Sequence, residues 1–567
     1  MNHPNPAIVA QSAVRRLPRA GLLALCTAYV LAGLIGRSPW RSADLQAFGH
    51  MLSLAEGTSS WLAPAIPGAL PDLAVLLPYW LGALGILGLP FLPADVAARV
   101  PFGLLLALTF TAAWYATYHL ARRTSAQPVA FAFGGEALPT DYARAMADTA
   151  LLALLACLGL AQLSHETTAA QTQLGAAALA YYGIAAFGTS PWRPALAVLC
   201  GLLGLTLSGA PSVALLLGLA GAAIHASQDA DSGEARPPTK AWTLLALALA
   251  ASLPASLLAL WQWRFEFPPS RPEDWRSLGQ MLLWFTWPCW PLVLWTLWRW
   301  RRQLTALHLA VPLAVVALGL GSAAGSRSDA DRALLPALPA LATLAAFALP
   351  TLRRSVAALI DWFTLVFFSF SAVVIWVYWI AMQTGWPRRP ALTVARFAPG
   401  FEPSFSTLAF VVAVAATMGW IGLVVWRAGR HRQVIWKSLV LPAGGATLSW
   451  LLAMTLWMPL LDYVRSHEPL ARRFQELAPG ASCVWYDGLS PVQRTALRFH
   501  AGIRSMSSEP AAGCGWRAVV LRPAADPPRL PGWTLSGVIV RPTDRNDRIA
   551  VYRQEAFAGP AGASVRP

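Results

Sequence analysis

Three short polar stretches between long apolar runs together carry carboxylates and arginines, and these residue types could bind anions or transfer protons. The first stretch, "GRSPWRSADLQAFGHM" (36–51), directly follows the first apolar run. Charged groups beside apolar membrane segments cost free energy and usually mark function. For any single residue, the alternative is a helix end anchored in the headgroup layer. The ionisable residues of the three stretches are Arg37, Arg41 and Asp44, then His165 and Glu166, then Arg327, Asp329, Asp331 and Arg332.

The composition identifies the class of protein that must position these residues. The chain of 567 residues is 56% hydrophobic and only 12% charged, whereas a soluble protein carries about 25% charged residues. Apolar runs recur almost to the C-terminus, so the sequence predicts an all-α polytopic membrane protein. The net charge of +16 comes largely from arginines in short loops, where they set orientation and meet anionic lipid. It does not indicate nucleic-acid binding.

The apolar runs predict about 13 transmembrane helices. An odd number of spans places the two termini on opposite sides of the membrane. Because most arginine-rich loops then share one side, the positive-inside rule places the N-terminus in the cytoplasm and the C-terminus in the periplasm of a bacterial inner membrane. The expected spans begin near Ala20, Pro101, Ala147, Leu174, Pro194, Pro211, Ala241, Leu278, Leu304, Ala333, Trp362, Leu408 and Ser438.

Two domains follow from this topology. Residues 1–461 should form a transmembrane domain with a long first periplasmic loop (36–100), and residues 462–567 a small periplasmic α/β domain. In the loop, the apolar segment 78–89 is too short to span the bilayer and is expected to roof a cavity at the interface; a membrane crossing is the alternative. In the tail, "CVWYDG" and "RAVVLRP" predict strands. An oxidising compartment would allow Cys483 and Cys514 to pair; the alternative is two unpaired structural cysteines.

Several motifs resemble those of membrane glycosyltransferases of the GT-C fold, family 39, which includes protein O-mannosyltransferases and the lipid A aminoarabinose transferase. "SPWRSADLQAFGHMLSLAEGTSSWLAPAIPG" (38–68) is similar to the family's first outer loop, W-x-x-D-E followed by G-x-W-x-x-P. "LPYWLGAL" (77–84) resembles the helix after that loop, and "FTWPCWPLVLW" (285–295) resembles the eighth span. "DRALLPALPAL" (331–341) resembles R-Y-L-L-P-x-L-P-x-L. The resemblance covers most of the chain, and the predicted α/β tail fits the aminoarabinose branch.

This resemblance implies catalytic carboxylates and a phosphate site on the outer face. Asp44 stands where the family has its first acidic residue, and Glu166 is the candidate for the second carboxylate, because the more usual position holds Gln171. The lysines that relatives are thought to use for the lipid phosphate are absent, and Ser208 replaces one of them. Arginine binds phosphate as a two-pronged fork. The phosphate-binding candidates are therefore Arg37, Arg41, Arg327 and Arg332.

The implied function is transfer of a sugar from a polyprenyl-phosphate donor to a periplasmic acceptor, which could be lipid A, another glycan or a protein. The sequence shows no nucleotide-sugar fold, which suits a donor that arrives from the membrane lipid. Asp44, His165 and Glu166 could hold a divalent metal, although no ligand spacing requires one, and no other cofactor is expected. The alternatives are an inactive relative within an envelope assembly and a transporter of a lipid-linked sugar, although the paired repeats typical of transporters are not seen.

Overall fold

The structure is a computed structural model that describes residues 5–190, 192–231, 239–261, 272–326, 329–428, 434–506, 514–523, 525–541 and 544–555. Its α-helices up to the tail are α1 Arg19–Leu31, α2 Arg41–Ala55, α3 Leu77–Gly88, α4 Ala94–Ala121, α5 Pro139–Ala156, α6 Leu160–Leu163, α7 Ala169–Ala185, α8 Arg193–Leu207, α9 Pro211–Asp231, α10 Thr239–Leu257, α11 Pro272–Phe285, α12 Cys289–Arg299, α13 Leu307–Ala324, α14 Ala330–Leu334, α15 Leu338–Ala348, α16 Arg354–Thr384, α17 Arg388–Phe397, α18 Thr407–Ala428, α19 Lys437–Leu456 and α20 Met458–Arg465. The tail contains α21 Glu468–Leu477, β1 Cys483–Asp487, α22 Pro491–Ala501, β2 Arg504–Met506, β3 Trp516–Leu521, β4 Trp533–Arg541 and β5 Asp544–Gln554.

The helices confirm the polytopic membrane class but not the number of spans. Seven of the described helices are long and apolar enough to cross a membrane, or eight if α19 and α20 count as one broken span. Every expected span start lies in a helix except Leu304, which lies just before α13. Part of the shortfall arises because α1, α7 and α8 have only 13, 17 and 15 residues. In addition, the expected span near Leu278 is broken into α11 and α12.

The long first loop contains two helices that pack together above α4. The segment expected at the interface is α3, a helix of 12 residues, which at about 1.5 Å per residue is far shorter than a membrane span. It packs closely on α2, since a Cβ atom added at Gly82 would lie 2.2 Å from the Met51 sulfur. On the side of α4, a Cβ atom at Gly85 would lie 2.5 Å from the Ala97 carbonyl oxygen. Glycine at both positions therefore allows α3 to lie flat against its neighbours.

The tail folds around a five-stranded mixed sheet in the order β2-β1-β3-β5-β4. β1 pairs in parallel with β2 and β3, and β5 pairs antiparallel with β3 and β4. The predicted strands at "CVWYDG" and "RAVVLRP" correspond to β1 and β3. Buried side chains of α21 and α22 cover the sheet, with Phe474 and Leu497 packed in the same core as Val484 and Ile549. Cys483 and Cys514 form a disulfide with a Cα–Cα distance of 5.6 Å.

The tail is attached to the first loop by polar contacts between α22 and α2. Arg498 forms an ion pair with Glu56 at the end of α2. Arg494, which is only 4% exposed, donates to the Pro67 carbonyl at 2.8 Å. Because α2 begins three residues before Asp44, the tail helps to fix the helix that carries the first predicted site carboxylate.

Acidification should destabilise the tail through His467. Burial and the charge of Arg541, whose guanidinium lies 3.4 Å from Nε2, together lower the pKa of His467 to about 3. The unfolded chain, with a pKa near 6.5, binds the proton first, so stability is full above about pH 6.5 and falls as the pH decreases. For this single group, we expect the free energy of unfolding of the tail to fall by about 2 kcal/mol between pH 7 and pH 5.

Hydrogen exchange of tail peptides, corrected for the intrinsic pH dependence, measures this loss. His467→Asn should show a shallower loss than the wild type because the titrating group is gone. An equally steep loss in both proteins would contradict the assignment to His467.

Candidate active site

Asp44 lies in the first turn of α2 and is completely buried. Its Oδ1 accepts hydrogen bonds from the backbone N–H and the hydroxyl of Thr167, both at 2.7 Å. Its Oδ2 accepts from the Trp40 backbone N–H at 2.9 Å and lies 3.5 Å from Nη1 of Arg37. Because α2 begins at Arg41, Asp44 is not the N-cap residue; it instead reaches back to the N–H of the N-cap residue. The carboxylate therefore joins the first loop to the link between α6 and α7.

Arg37 points into the protein and is 4% exposed. Its Nε donates to the Gly33 carbonyl at 2.8 Å, and its Nη2 donates to the His165 carbonyl. With Nη1 facing Asp44, all three guanidinium nitrogens face acceptors within the protein. In this arrangement, Arg37 compensates the buried charge of Asp44.

The bend between α19 and α20 adds another acid, the partly buried Asp462, to this region. The two helices meet at an angle of 69°, at a point where Pro459 in the first turn of α20 cannot continue α19. Asp462 on α20 accepts from the Trp40 indole N–H at 2.7 Å and from the Ser38 backbone N–H at 2.7 Å. The guanidinium of Arg465 lies 5.4 Å from the Trp40 ring centroid. The loop before α2 is thus held both by Asp44 on α2 and by Asp462 on α20.

Glu166 connects this region to the start of α14. Its buried carboxylate accepts from Nη2 of Arg332 at 2.8 Å and from the Gln162 amide at 3.2 Å. Nη1 of Arg332 pairs with Asp329 at 2.9 Å, and Arg465 donates to the Gln162 side chain at 2.5 Å. Burial raises the pKa of the Glu166 carboxyl, and the charge of Asp44 adds to this effect, whereas Arg332 opposes it.

A cavity of about 630 Å³ opens beside these groups. It lies between α2, the start of α7, the start of α9, α13 and the turn after α14. On the side of Asp44, the wall is formed by Ala43, Ala47 and Thr168, so Asp44 lies directly behind the surface of the cavity. The volume is that of an ordinary small-molecule site.

Among the described residues, the charged side chains that line this cavity are those of Asp72, Asp329 and Arg332. Asp72 was not predicted. Its carboxylate accepts from the Tyr79 hydroxyl at 2.7 Å and from the Ala74 backbone N–H at 3.0 Å. The Tyr79 ring stacks on His50 with centroids 4.6 Å apart. A second carboxylate, besides that of Asp329, is therefore fixed on the wall of this cavity.

The structure brings some of the predicted site residues together and leaves others outside the cavity or outside the described residues. Asp44 and Glu166 flank Thr167, and Glu166 contacts Arg332, so these three residues are brought together. Arg37 also belongs to the cluster, but it faces Asp44 rather than the cavity. Arg327 lies outside the described residues. Arg41 begins α2, and its side chain lies outside the described part of the structure.

His165 binds two backbone carbonyls rather than a carboxylate. Its Nδ1 lies 2.6 Å from the Ala161 oxygen, and its Nε2 lies 3.0 Å from the Tyr29 oxygen. Burial lowers the pKa of His165 to about 4, and a neutral ring has one N–H, so it donates to only one of these two carbonyls. Within the described residues, no three histidine, cysteine or acidic side chains are grouped as metal ligands. The predicted set of Asp44, His165 and Glu166 does not converge on one point.

Two further residues complete the cluster. Asp462 carries the same sequence signature as Asp44, an acid beside a long apolar run, and this signature could have identified it. Thr167 has no such signature, because its importance comes from the position of its N–H and hydroxyl opposite Asp44.

The arrangement of helices and the small tail sheet define a GT-C fold, and comparison with solved structures supports this class. The fold is similar to that of ArnT from Cupriavidus metallidurans bound to undecaprenyl phosphate, with a TM-score of 0.60 and 15% sequence identity. The match covers 96% of this chain and 99% of that chain. The same ArnT in the apo state gives a TM-score of 0.59 at 15% identity, with the same coverage. The shared fold thus extends over both proteins almost completely.

Sequence comparison adds no relatives. No model of a known protein family matches the chain, and no curated protein matches it.

Proposed function

We propose that this membrane protein is a glycosyltransferase that moves a sugar from a polyprenyl-phosphate carrier to an acceptor at the outer side of the inner membrane. The observation that carries the proposal is the cavity beside Arg332, in which a guanidinium faces a space of small-molecule size next to two buried carboxylates. The GT-C fold supports the same class of reaction. A phosphate and its sugar would occupy the cavity, and the polyprenyl chain would extend into the lipid.

Arg332 is the residue that would bind the carrier phosphate. Its two terminal nitrogens already hold carboxylates, at 2.8 Å for Glu166 and 2.9 Å for Asp329. Its Nε is buried and has no hydrogen-bond partner among the described residues. A phosphate that binds this guanidinium would replace one of the two carboxylates, and the positive charge would then stabilise the phosphate as it leaves the sugar.

If the displaced carboxylate is that of Glu166, it would have a second role, as the proton acceptor of the transfer step. In the transfer step, the bond between the anomeric carbon and the phosphate oxygen breaks, and the electron pair stays on the phosphate. The acceptor oxygen or nitrogen bonds to the anomeric carbon and gives up a proton. Glu166 is suited to take this proton, because burial raises its pKa above the ordinary value of a carboxyl and because phosphate binding at Arg332 would release it.

Asp44 would provide a fixed negative charge behind the cavity surface, close to the reacting groups. The four contacts to its carboxylate hold Trp40, Thr167 and Arg37 together behind the cavity wall. Direct proton transfer to Asp44 requires Thr167 to release Oδ1 first. Both carboxylates are thus part of the proposal. Glu166 would act near the reacting atoms, and Asp44 would hold the loop before α2 against Thr167.

Mass spectrometry of the envelope tests the proposed function. Lipids and envelope glycans of a deletion strain are compared with those of the parent and of the deletion strain carrying the wild-type gene. We expect one glycosylated species to disappear in the deletion strain and to return with the wild-type gene. Identical spectra in all three strains would argue for the inactive-relative alternative.

The proposed orientation has a separate test. Residues 1–461 would be the transmembrane domain and residues 462–567 a periplasmic domain, and the Cys483–Cys514 disulfide supports an oxidising location for the tail. We expect a phosphatase reporter, active only after export, to be active when fused after residue 555. A reporter that fluoresces only in the cytoplasm should be dark at the same junction. The reverse pattern would overturn this topology.

A further inference from the structure

A second cavity, of about 890 Å³, lies at the opposite end of the helix bundle. It is formed by the N-terminal segment near residues 8–13, the start of α16, the end of α18 and the start of α19. Lys437 begins α19, whereas Asp462 of the candidate active site lies beyond the other end of this helix. A helix of 20 residues is about 30 Å long. The two cavities therefore lie at opposite membrane faces.

Basic side chains dominate the ionisable lining of this second cavity. Arg354, Arg427 and Lys437 face it together with one carboxylate, Asp361. Arg427 and Asp361 form an ion pair. Nε of Arg427 and Oδ1 of Asp361 are nonetheless buried without a hydrogen-bond partner in the part of the chain that the structure describes. The lining thus has an excess of positive charge, and beside it lies a buried N–H group of Arg427 whose hydrogen bond is not made within the described residues.

The helices on either side of the cavity present apolar surfaces that suit acyl chains. On α16, Leu359 and Trp362 are each 67% exposed, and on α18 Val425 is 65% exposed. Only 22% of the apolar window of α16 and 11% of that of α18 are buried inside the protein. Trp362 also lines the cavity. A ligand in this place would meet arginine and lysine at one end and lipid-facing helix surface at the other.

We propose that this cavity binds an acidic phospholipid, with the phosphate diester held by Arg354, Arg427 and Lys437 and the acyl chains along α16 and α18. Basic pockets between transmembrane helices recognise acidic headgroups in this way. The proposal does not depend on the transferase activity, because the site is separated from the candidate active site by the length of α19. Inorganic phosphate has the same charge chemistry but no chains for the apolar surfaces.

Native mass spectrometry of the full-length protein tests this site. The protein is delipidated in detergent and then titrated with phosphatidylglycerol, with phosphatidylcholine or with inorganic phosphate. We expect phosphatidylglycerol adducts to survive at collision energies that remove phosphatidylcholine. In Arg354→Gln, retention of phosphatidylglycerol should fall about fivefold, the scale of one basic side chain at a membrane surface. Arg354 is exposed, so the variant should fold.

Arg353→Gln is the matched control. Arg353 is the neighbouring exposed arginine, and it does not line the cavity, so its loss should leave retention unchanged. Equal retention of phosphatidylglycerol by the wild type and Arg354→Gln would overturn the proposal. An equal loss of phosphatidylglycerol retention in Arg354→Gln and Arg353→Gln would also overturn it. The same holds if inorganic phosphate adducts survive at the same collision energies as phosphatidylglycerol adducts.

Discussion

In Asp44→Asn, transfer of the sugar should fall at least about a hundredfold, while the protein still inserts and folds. The amide oxygen of asparagine can still accept from the N–H and hydroxyl of Thr167. The amide nitrogen, however, would point hydrogens at the Trp40 N–H and at Arg37, which now face Oδ2. The variant therefore removes the fixed charge and loosens the wall of the cavity. Steady-state transfer by the purified protein measures the effect, and thermal unfolding shows how much of it is lost folding.

Asp148→Asn controls for the loss of a buried carboxylate as such. Asp148 is 9% exposed and accepts from the Trp114 indole N–H at 2.8 Å, and it does not line the candidate active site. We expect this variant to transfer sugar at close to the wild-type rate. Turnover of Asp44→Asn within a few-fold of the wild type would remove Asp44 from the reaction and leave it a structural residue.

Arg332→Lys should weaken use of the lipid donor about 10- to 100-fold, the value of one charge-assisted hydrogen bond. The guanidinium holds Glu166 and Asp329 with two different nitrogens. A single ammonium group cannot reproduce this fork or offer it to a phosphate. The loss should appear mainly in the KM for the donor, because the phosphate is bound before the bond breaks as well as after.

Arg389→Lys is the control for an arginine exchange on an exposed helix, because Arg389 lies on α17 and is exposed. It should leave the KM for the donor unchanged. If Arg332→Lys also retains the wild-type KM, Arg332 is only the helix-end anchor that pairs with Asp329, and the phosphate binds elsewhere.

The sequence predicts most of the fold because the features that indicate it are local: apolar runs mark helices, prolines interrupt them, and alternating apolar residues mark strands. It also predicts Asp44, Glu166 and Arg332, since each is a charge placed beside an apolar segment. The predicted number of about 13 spans is not confirmed, because only seven or eight of the described helices are long and apolar enough to cross a membrane. Helix breaks such as the one between α11 and α12 depend on a few residues within an apolar run.

The parts that were not predicted depend on contacts between distant segments. The bond from Trp40 to Asp462 joins residues 422 positions apart, and no local pattern specifies the bend that makes it possible. Asp72 was overlooked because it lies in an irregular, proline-rich loop, where neither helical nor strand periodicity places a side chain.

Consumption of a polyprenyl-phosphate sugar by the purified protein tests the central claim most directly. The full-length protein, reconstituted in lipid, is incubated with a membrane extract that contains carrier-linked sugars and acceptors, and the free polyprenyl phosphate is quantified by mass spectrometry. We predict that free polyprenyl phosphate rises with time for the wild type and does not rise above background for Asp44→Asn. An absence of release by a folded, lipid-reconstituted wild-type protein, with carrier-linked sugar and acceptor both present in the extract, would contradict the account.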